Sequence, residues 1–185
     1  PSTGRPSTGA AAAAAPVAAY VPAVEAGGLL HVSGQLPFLD GQLMTGRLGE
    51  DRDLEYGQQA AQRCGLMLVA QIRKALGGDL DRVERIVKLG VFVNSTGSFT
   101  DQPKVANGAS ELMQALFGEA GRHARSAVGV PALPLNAVVE VDAGDDRDIR
   151  VDGVDRIETA AEPDLEDQRV GRTAGEQPQR GQRAE

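Results

Sequence analysis

Between Tyr20 and Ala143 the spacing of apolar residues changes several times, and each change marks an element. In YVPAVEAGGLLHVSGQ, residues 20–35, two short β-type runs flank Gly27-Gly28, the pattern of a tight hairpin. LPFLDGQLMTG then turns at Asp40-Gly41 and has room for another short strand. From Asp53 the period becomes helical. Cys64, Leu68, Ile72 and Leu76 recur at i, i+4, i+8 and i+12 on one face, and Gly77-Gly78 supplies the stop. VERIVKLGVFVN, residues 83–94, is rich in β-branched residues and reads as one strand. Thr100 or Asp101 can cap a second helix, with Val105, Ala109, Leu112 and Leu116 turned inward and Gly118 closing it. RSAVGV and AVVEV, separated by a Pro-containing turn, supply two final strands. The order ββ(β)αβαββ predicts an α+β fold, a β-sheet with two helices packed on one face.

Composition divides the chain around this patterned stretch. Residues 1–19, a Pro/Ser/Thr/Gly repeat followed by alanines, bury nothing large and read as a disordered leader. The alanines lack the charged-then-strongly-apolar order of a secretion signal. Residues 20–143 hold every Phe, Tyr, Met and Cys and form the expected single domain. Residues 144–185 contain no aromatic residue and read as an acidic, largely disordered tail, although DIRVDGV, 148–154, could form a short edge strand. Twelve acidic and seven basic residues give that tail −5 of the total −7, so the domain itself carries only −2. A near-neutral domain with an acidic tail argues against nucleic acid as the partner. No apolar run approaches the roughly 18 residues of a membrane span. The single cysteine, Cys64, excludes an internal disulfide and suits a reducing cytoplasm. One cysteine and two distant histidines offer no metal-ligand spacing.

Arg125 is the residue most suggestive of chemistry. It places one guanidinium in a small, apolar strand, and the next strand carries one carboxylate, Glu140. A half-buried cation is costly unless it is paired or receives an anionic ligand. Two readings stand: a structural Arg125–Glu140 ion pair across a hairpin, or a site for an anion. Cys64 sits on the apolar helix face and reads as inert core, and His31 and His123 read as structural residues beside strands.

Four stretches, in order, carry a family likeness: PVAAYVPAV around Tyr20, LLHVSGQLP at 29–37, LGGDLDRVERIVKLGVFVN at 76–94 and HARSAVGVPALPLNAVVEV at 123–141. Together they resemble the RidA/YjgF family, also called the translation-initiation-inhibitor or endoribonuclease L-PSP family. The resemblance implies a chorismate-mutase-like fold and a homotrimer with a ligand cleft at each subunit interface. It assigns Arg125 to the substrate carboxylate and Glu140 to the attacking water, and puts Tyr20, Ser33 and Gly34 in the cleft lining. It further implies hydrolysis of reactive enamines and imines, such as 2-aminoacrylate, to 2-keto acids and ammonia, without a cofactor. The alternative is a trimer that binds a small carboxylate ligand without catalysis. The family's ribonuclease label finds no basic patch or paired histidines here. Ala127 stands where the family often has Cys and 94–108 is a longer link than usual, a pattern that resembles a divergent subgroup; GDDRD at 144–148 interrupts after Ala143, and the tail beyond reads as either an extension or a frame-shifted segment.

Overall fold

The computed structural model describes residues 19–143 and 149–151. The expected leader, up to Ala18, and the tail segments 144–148 and 152–185 lie outside the described residues. The described residues form nine strands: β1 Ala23–Ala26, β2 Leu29–Gln35, β3 Phe38–Leu39, β4 Gln42–Leu43, β5 Val83–Ile86, β6 Lys88–Asn94, β7 Ala124–Val130, β8 Val139–Ala143 and β9 Ile149–Val151. Two helices, α1 Leu54–Ala75 and α2 Gln102–Phe117, complete the domain.

Local sequence explains most element boundaries. Gly27 and Gly28 take φ of 59° and 78°, and the hairpin closes in the register Ala26↔Leu29. Asp40 and Gly41 do the same for β3 and β4. Asp53 caps α1 by accepting the Tyr56 backbone N–H at 2.9 Å. At the other end Gly77 turns into positive φ, and Gly78 N–H reaches back to the Arg73 carbonyl at 2.7 Å. The α1 stripe of Cys64, Leu68, Ile72 and Leu76 is buried as its spacing requires.

The main sheet runs β5-β9-β2-β8-β6-β7, with β1 paired to β2. Two expectations change here. Residues 83–94 form two strands, separated at Val87, because β5 pairs with β9 whereas β6 pairs with β8 and β7. The strand in DIRVDGV is internal: Ile149–Val151 lies between β2 and β5, so the sheet continues past Ala143. Both β8 and β9 run antiparallel to β2, at Val32↔Ala143 and Leu29↔Arg150, and thus share one lane. Among the described residues the named strands pair antiparallel except β6 with β7, which is parallel and needs α2 as its crossover.

Both helices cover one face of the sheet. Leu30, Val32, Leu89, Val91, Val93, Val139 and Val141 point into the core from that face, and α1 meets them with Ala60, Ala61, Cys64, Leu68 and Ile72. Helix α2 contributes Val105, Ala106, Ala109 and Met113. Leu116, expected inward, is instead 51% exposed, and Leu112 is only partly buried. The reason is that α2 serves three neighbours. One flank meets α1, where Gly65 lies against Leu112 and Gly108 against the Gln58 backbone; the middle meets the sheet; the other flank meets β7. The buried arc therefore turns toward Ala106 and Met113, leaving Leu116 in the last turn outside.

Met113→Ala should lower stability by about 2–5 kcal/mol, and Leu116→Ala by no more than about 0.5 kcal/mol, read from urea midpoints. A Cβ at Gly108 would collide with the Gln58 carbonyl. Gly108→Ala should therefore destabilise by about 1–3 kcal/mol, although helix propensity alone favours alanine by about 1 kcal/mol.

Candidate functional site

Strand β7 is the edge of the sheet, and its alternation decides where Arg125 points. In register, Arg125 stands beside Leu89 and Ala127 beside Val91, so both share the helix-covered face. Helix α2 receives the guanidinium there. Arg125 Nη1 donates to Asn107 Oδ1 at 3.0 Å and to Ser110 Oγ at 2.9 Å, and Nη2 donates to the Pro103 carbonyl at 3.1 Å. Positions 103, 107 and 110 follow helical spacing, so one flank of α2 forms the cradle. Three of the five guanidinium N–H groups are thereby used. The remaining two, Nε–H and one on Nη2, lie on the same side of the planar group, the side that can grip a carboxylate with two parallel bonds.

An open cleft of about 420 Å³ adjoins this group, lined by Ser110, Gln114, Gly121, Arg122, His123 and Arg125. His123 bonds to the Gly121 carbonyl through Nδ1 at 2.7 Å and to Ser110 Oγ through Nε2 at 3.0 Å. Burial pushes its pKa below the usual 6.5; the Gly121 bond opposes this, and the nearby Arg125 charge reinforces it. His123 is thus linked to Arg125 through Ser110. Asn107, Ser110 and Pro103 gave no signal, because only tertiary docking brings α2 over β7.

Glu140 lies on the other face. In β8, Val139, Val141 and Ala143 are buried toward the helices, while Glu140 and Asp142 alternate away from them. Glu140 stands opposite Phe92 and Asp142 opposite Gly90, whose N–H donates to Asp142 at 3.1 Å. The Glu140 carboxylate occupies the space over Gly34 where a side chain would otherwise stand. Burial raises the Glu140 pKa, and the charge of Asp142 raises it further.

Strand β2 makes room for this carboxylate by bulging. Between Val32↔Ala143 and Gln35↔Val141, β2 takes one residue more than β8, placing the irregularity at Ser33-Gly34. Gln35 holds the bulge, its Nε2 donating to the Ser33 and Gly34 carbonyls at 2.9 and 3.2 Å. Ser33 in turn donates through Oγ to the Val21 carbonyl at 2.9 Å, which brings the segment carrying half-exposed Tyr20 alongside.

The candidate residues thus form two groups. Tyr20, Ser33, Gly34 and Glu140 gather around the β2 bulge, while Arg125 lies on the opposite sheet face with α2. The hairpin ion pair, one of the two readings, does not form, because β6 lies between β7 and β8 and the two side chains leave opposite faces. Cys64 is fully buried, donates to the Val139 carbonyl at 3.5 Å and has its thiol pKa pushed well up by burial and by Glu140. Among the described residues no cluster of His, Cys, Asp and Glu could hold a metal, and no helix is long and apolar enough to cross a membrane.

Comparison with known proteins agrees with this architecture. Residues 7–143 match the YjgF/chorismate-mutase-like family, whose description also carries an endoribonuclease label. Protein TCP17 of Trypanosoma cruzi is 60% identical over 134 residues, covering 71% of this chain and 83% of that protein. A Dermatophagoides farinae protein named 2-iminobutanoate/2-iminopropanoate deaminase is 28% identical over 130 residues, 69% of this chain and 85% of its own length. The crystal structure of a protein of unknown function from Agrobacterium tumefaciens superposes with a TM-score of 0.69 at 46% identity, covering 74% of this chain and 85% of that one. On its matched sequence and its mixed sheet with two helices on one face, the chain belongs to the RidA/YjgF family.

Proposed function

We propose that the protein hydrolyses reactive enamine or imine forms of 2-amino acids, of the 2-aminoacrylate type, to 2-keto acids and ammonia without a cofactor. The observation that carries this is Arg125: a guanidinium fixed by three acceptors of α2, with two adjacent N–H groups left for an incoming carboxylate. The name of the Dermatophagoides farinae relative supports the same chemistry.

The reaction asks little of the protein beyond positioning. An enamine first tautomerises to its imine, whose carbon is electrophilic. Water adds to that carbon, and the carbinolamine expels ammonia to leave the keto acid. Arg125 anchors the carboxylate, and Glu140 orients and deprotonates the water. The raised pKa of Glu140 suits a base, since a more basic carboxylate draws a proton from water more readily. Tyr20, Ser33 and Gly34 line the pocket.

Arg125 and Glu140 leave opposite faces of one subunit, so bringing them to one substrate needs a second copy. The half-exposed Val24 and Val128 give the subunit apolar surface to bury in such an assembly. We infer a homotrimer with its clefts between subunits, acting in the cytoplasm. The same separation also favours a second reading, a carboxylate-binding regulatory trimer that never assembles both groups on one ligand.

Ammonia release from enzymatically generated 2-aminoacrylate separates the two. Arg125→Ala should cost on the order of 2–4 kcal/mol in kcat/KM, a hundredfold or more, and Arg125→Lys should recover only part of it. Glu140→Gln should slow turnover with little change in ligand binding, and the acid limb of the wild-type profile should lie above the ordinary carboxylate value of 4.5. Binding of 2-keto acids with no ammonia release by any variant, wild type included, would leave the regulatory reading. Light scattering at micromolar concentration should give a trimer mass, and a stable monomer would remove the shared cleft.

A further inference from the structure

Three hydrogen bonds run in series from Arg125 to the turn before β7. Arg125 Nη1 donates to Ser110 Oγ at 2.9 Å, Ser110 Oγ and His123 Nε2 are 3.0 Å apart, and His123 Nδ1 is 2.7 Å from the Gly121 carbonyl. The carbonyl at the end can only accept, so Nδ1 carries a proton. In a neutral ring Nε2 is then an acceptor, and the Ser110 hydroxyl hydrogen points at it. That orientation leaves the Ser110 lone pairs for Arg125. Every donor in the series meets an acceptor only while His123 is neutral.

The surroundings favour the neutral ring. Arg125 lies two residues further on, in β7. Arg122 precedes the ring and is paired with Glu119 at 3.3 Å, and Arg85 of β5 reaches the Arg122 carbonyl at 3.2 Å. On the cleft side, α2 contributes Ser110 and Gln114, both neutral. Burial acts in the same direction.

We propose that Ser110 and His123 are positioning residues for Arg125, a relay that holds the guanidinium with its Nε side toward the cleft only while the imidazole is neutral. The proposal rests on Arg125 as the carboxylate anchor and adds a control on that anchor. A proton on His123 makes Nε2 a donor to Ser110 Oγ. The serine hydrogen must then turn elsewhere, and two cationic groups that repel each other meet at one oxygen. Asn107 and Pro103 still hold Arg125, so the guanidinium loosens without being released. The folded pKa of His123 is lowered, so its contribution to stability is complete above the unfolded value near 6.5 and is lost as pH falls from there through the folded value. Carboxylate grip should weaken over the same acid window.

The test uses the full-length protein labelled with ¹⁵N and pyruvate as the carboxylate probe. Ring-nitrogen NMR should find His123 as the Nδ1–H tautomer, titrating below 6.5, and the Arg125 side-chain nitrogens should shift with the same midpoint. Pyruvate affinity should fall about fivefold across that midpoint, the worth of roughly one hydrogen bond. His123→Gln keeps an acceptor that does not titrate, so its affinity should match wild type at high pH and stay flat on acidification. Ser110→Ala should bind about fivefold more weakly at every pH and uncouple the Arg125 signals from His123. Arg125 signals indifferent to His123 titration would overturn the relay, as would a His123→Gln profile as steep as wild type. Affinity that rises on acidification would mean that His123 is itself a ligand charge, and would also overturn it. If the coupled NMR titration is present but wild type does not take up pyruvate, the relay stands and the carboxylate role of Arg125 falls.

Discussion

The parallel pairing of β6 with β7 is the constraint on which the site depends. Parallel neighbours cannot be joined by a tight turn, so the chain must cross over the sheet, and α2 is that crossover. The crossover lays a helix on the face of β7 that carries Arg125. Without it, a guanidinium on an edge strand would be solvated and free to rotate. With it, Pro103, Asn107 and Ser110 fix the planar group from one side. An arginine already held in place loses less conformational entropy on capturing an anion, which is the usual benefit of a preorganised contact.

The two sheet faces then acquire different electrical characters. The helix-covered face is mostly aliphatic, with a polar cluster at the β7 margin, where Arg125 and half-buried His123 share Ser110. The opposite face carries Glu140 and Asp142 two residues apart on β8, and their mutual repulsion adds to burial in raising the Glu140 pKa. Placing cation and anion on opposite faces prevents them from neutralising each other within a subunit.

Support from behind the sheet matters as much as the groups themselves. The β2 bulge lets the Glu140 carboxylate settle over Gly34, and the Gln35 amide holds the two bulge carbonyls. Gln71 of α1 reaches Gln35 Oε1 at 3.4 Å, so the helix layer helps to orient the bulge through a buried polar contact. Helix packing thus reaches both candidate groups, α2 directly at Arg125 and α1 indirectly at Gly34.

Much of this was legible in the residues, because local physics decides it. The Gly27-Gly28 turn, the Asp53 cap, the α1 stripe from Cys64 to Leu76 and the Gly77-Gly78 stop each depend on residues close in sequence. Arg125 and Glu140 stood out because a charge in an apolar strand demands a partner. The partner itself was not legible: β-type patterns say nothing of strand order, so β7 and β8 read as a hairpin until β6 was found between them. For the same reason residues 83–94 read as one strand, since the break at Val87 reflects a change of neighbours and not of composition. The Leu116 position follows likewise, because the rotation of α2 depends on α1, the sheet and β7 together. The sequence by itself determined where elements begin and end and which residues were chemically unusual, through interactions spanning a few residues. Only the tertiary structure decided which face each charge occupies and what it touches, because those contacts join residues far apart in the chain.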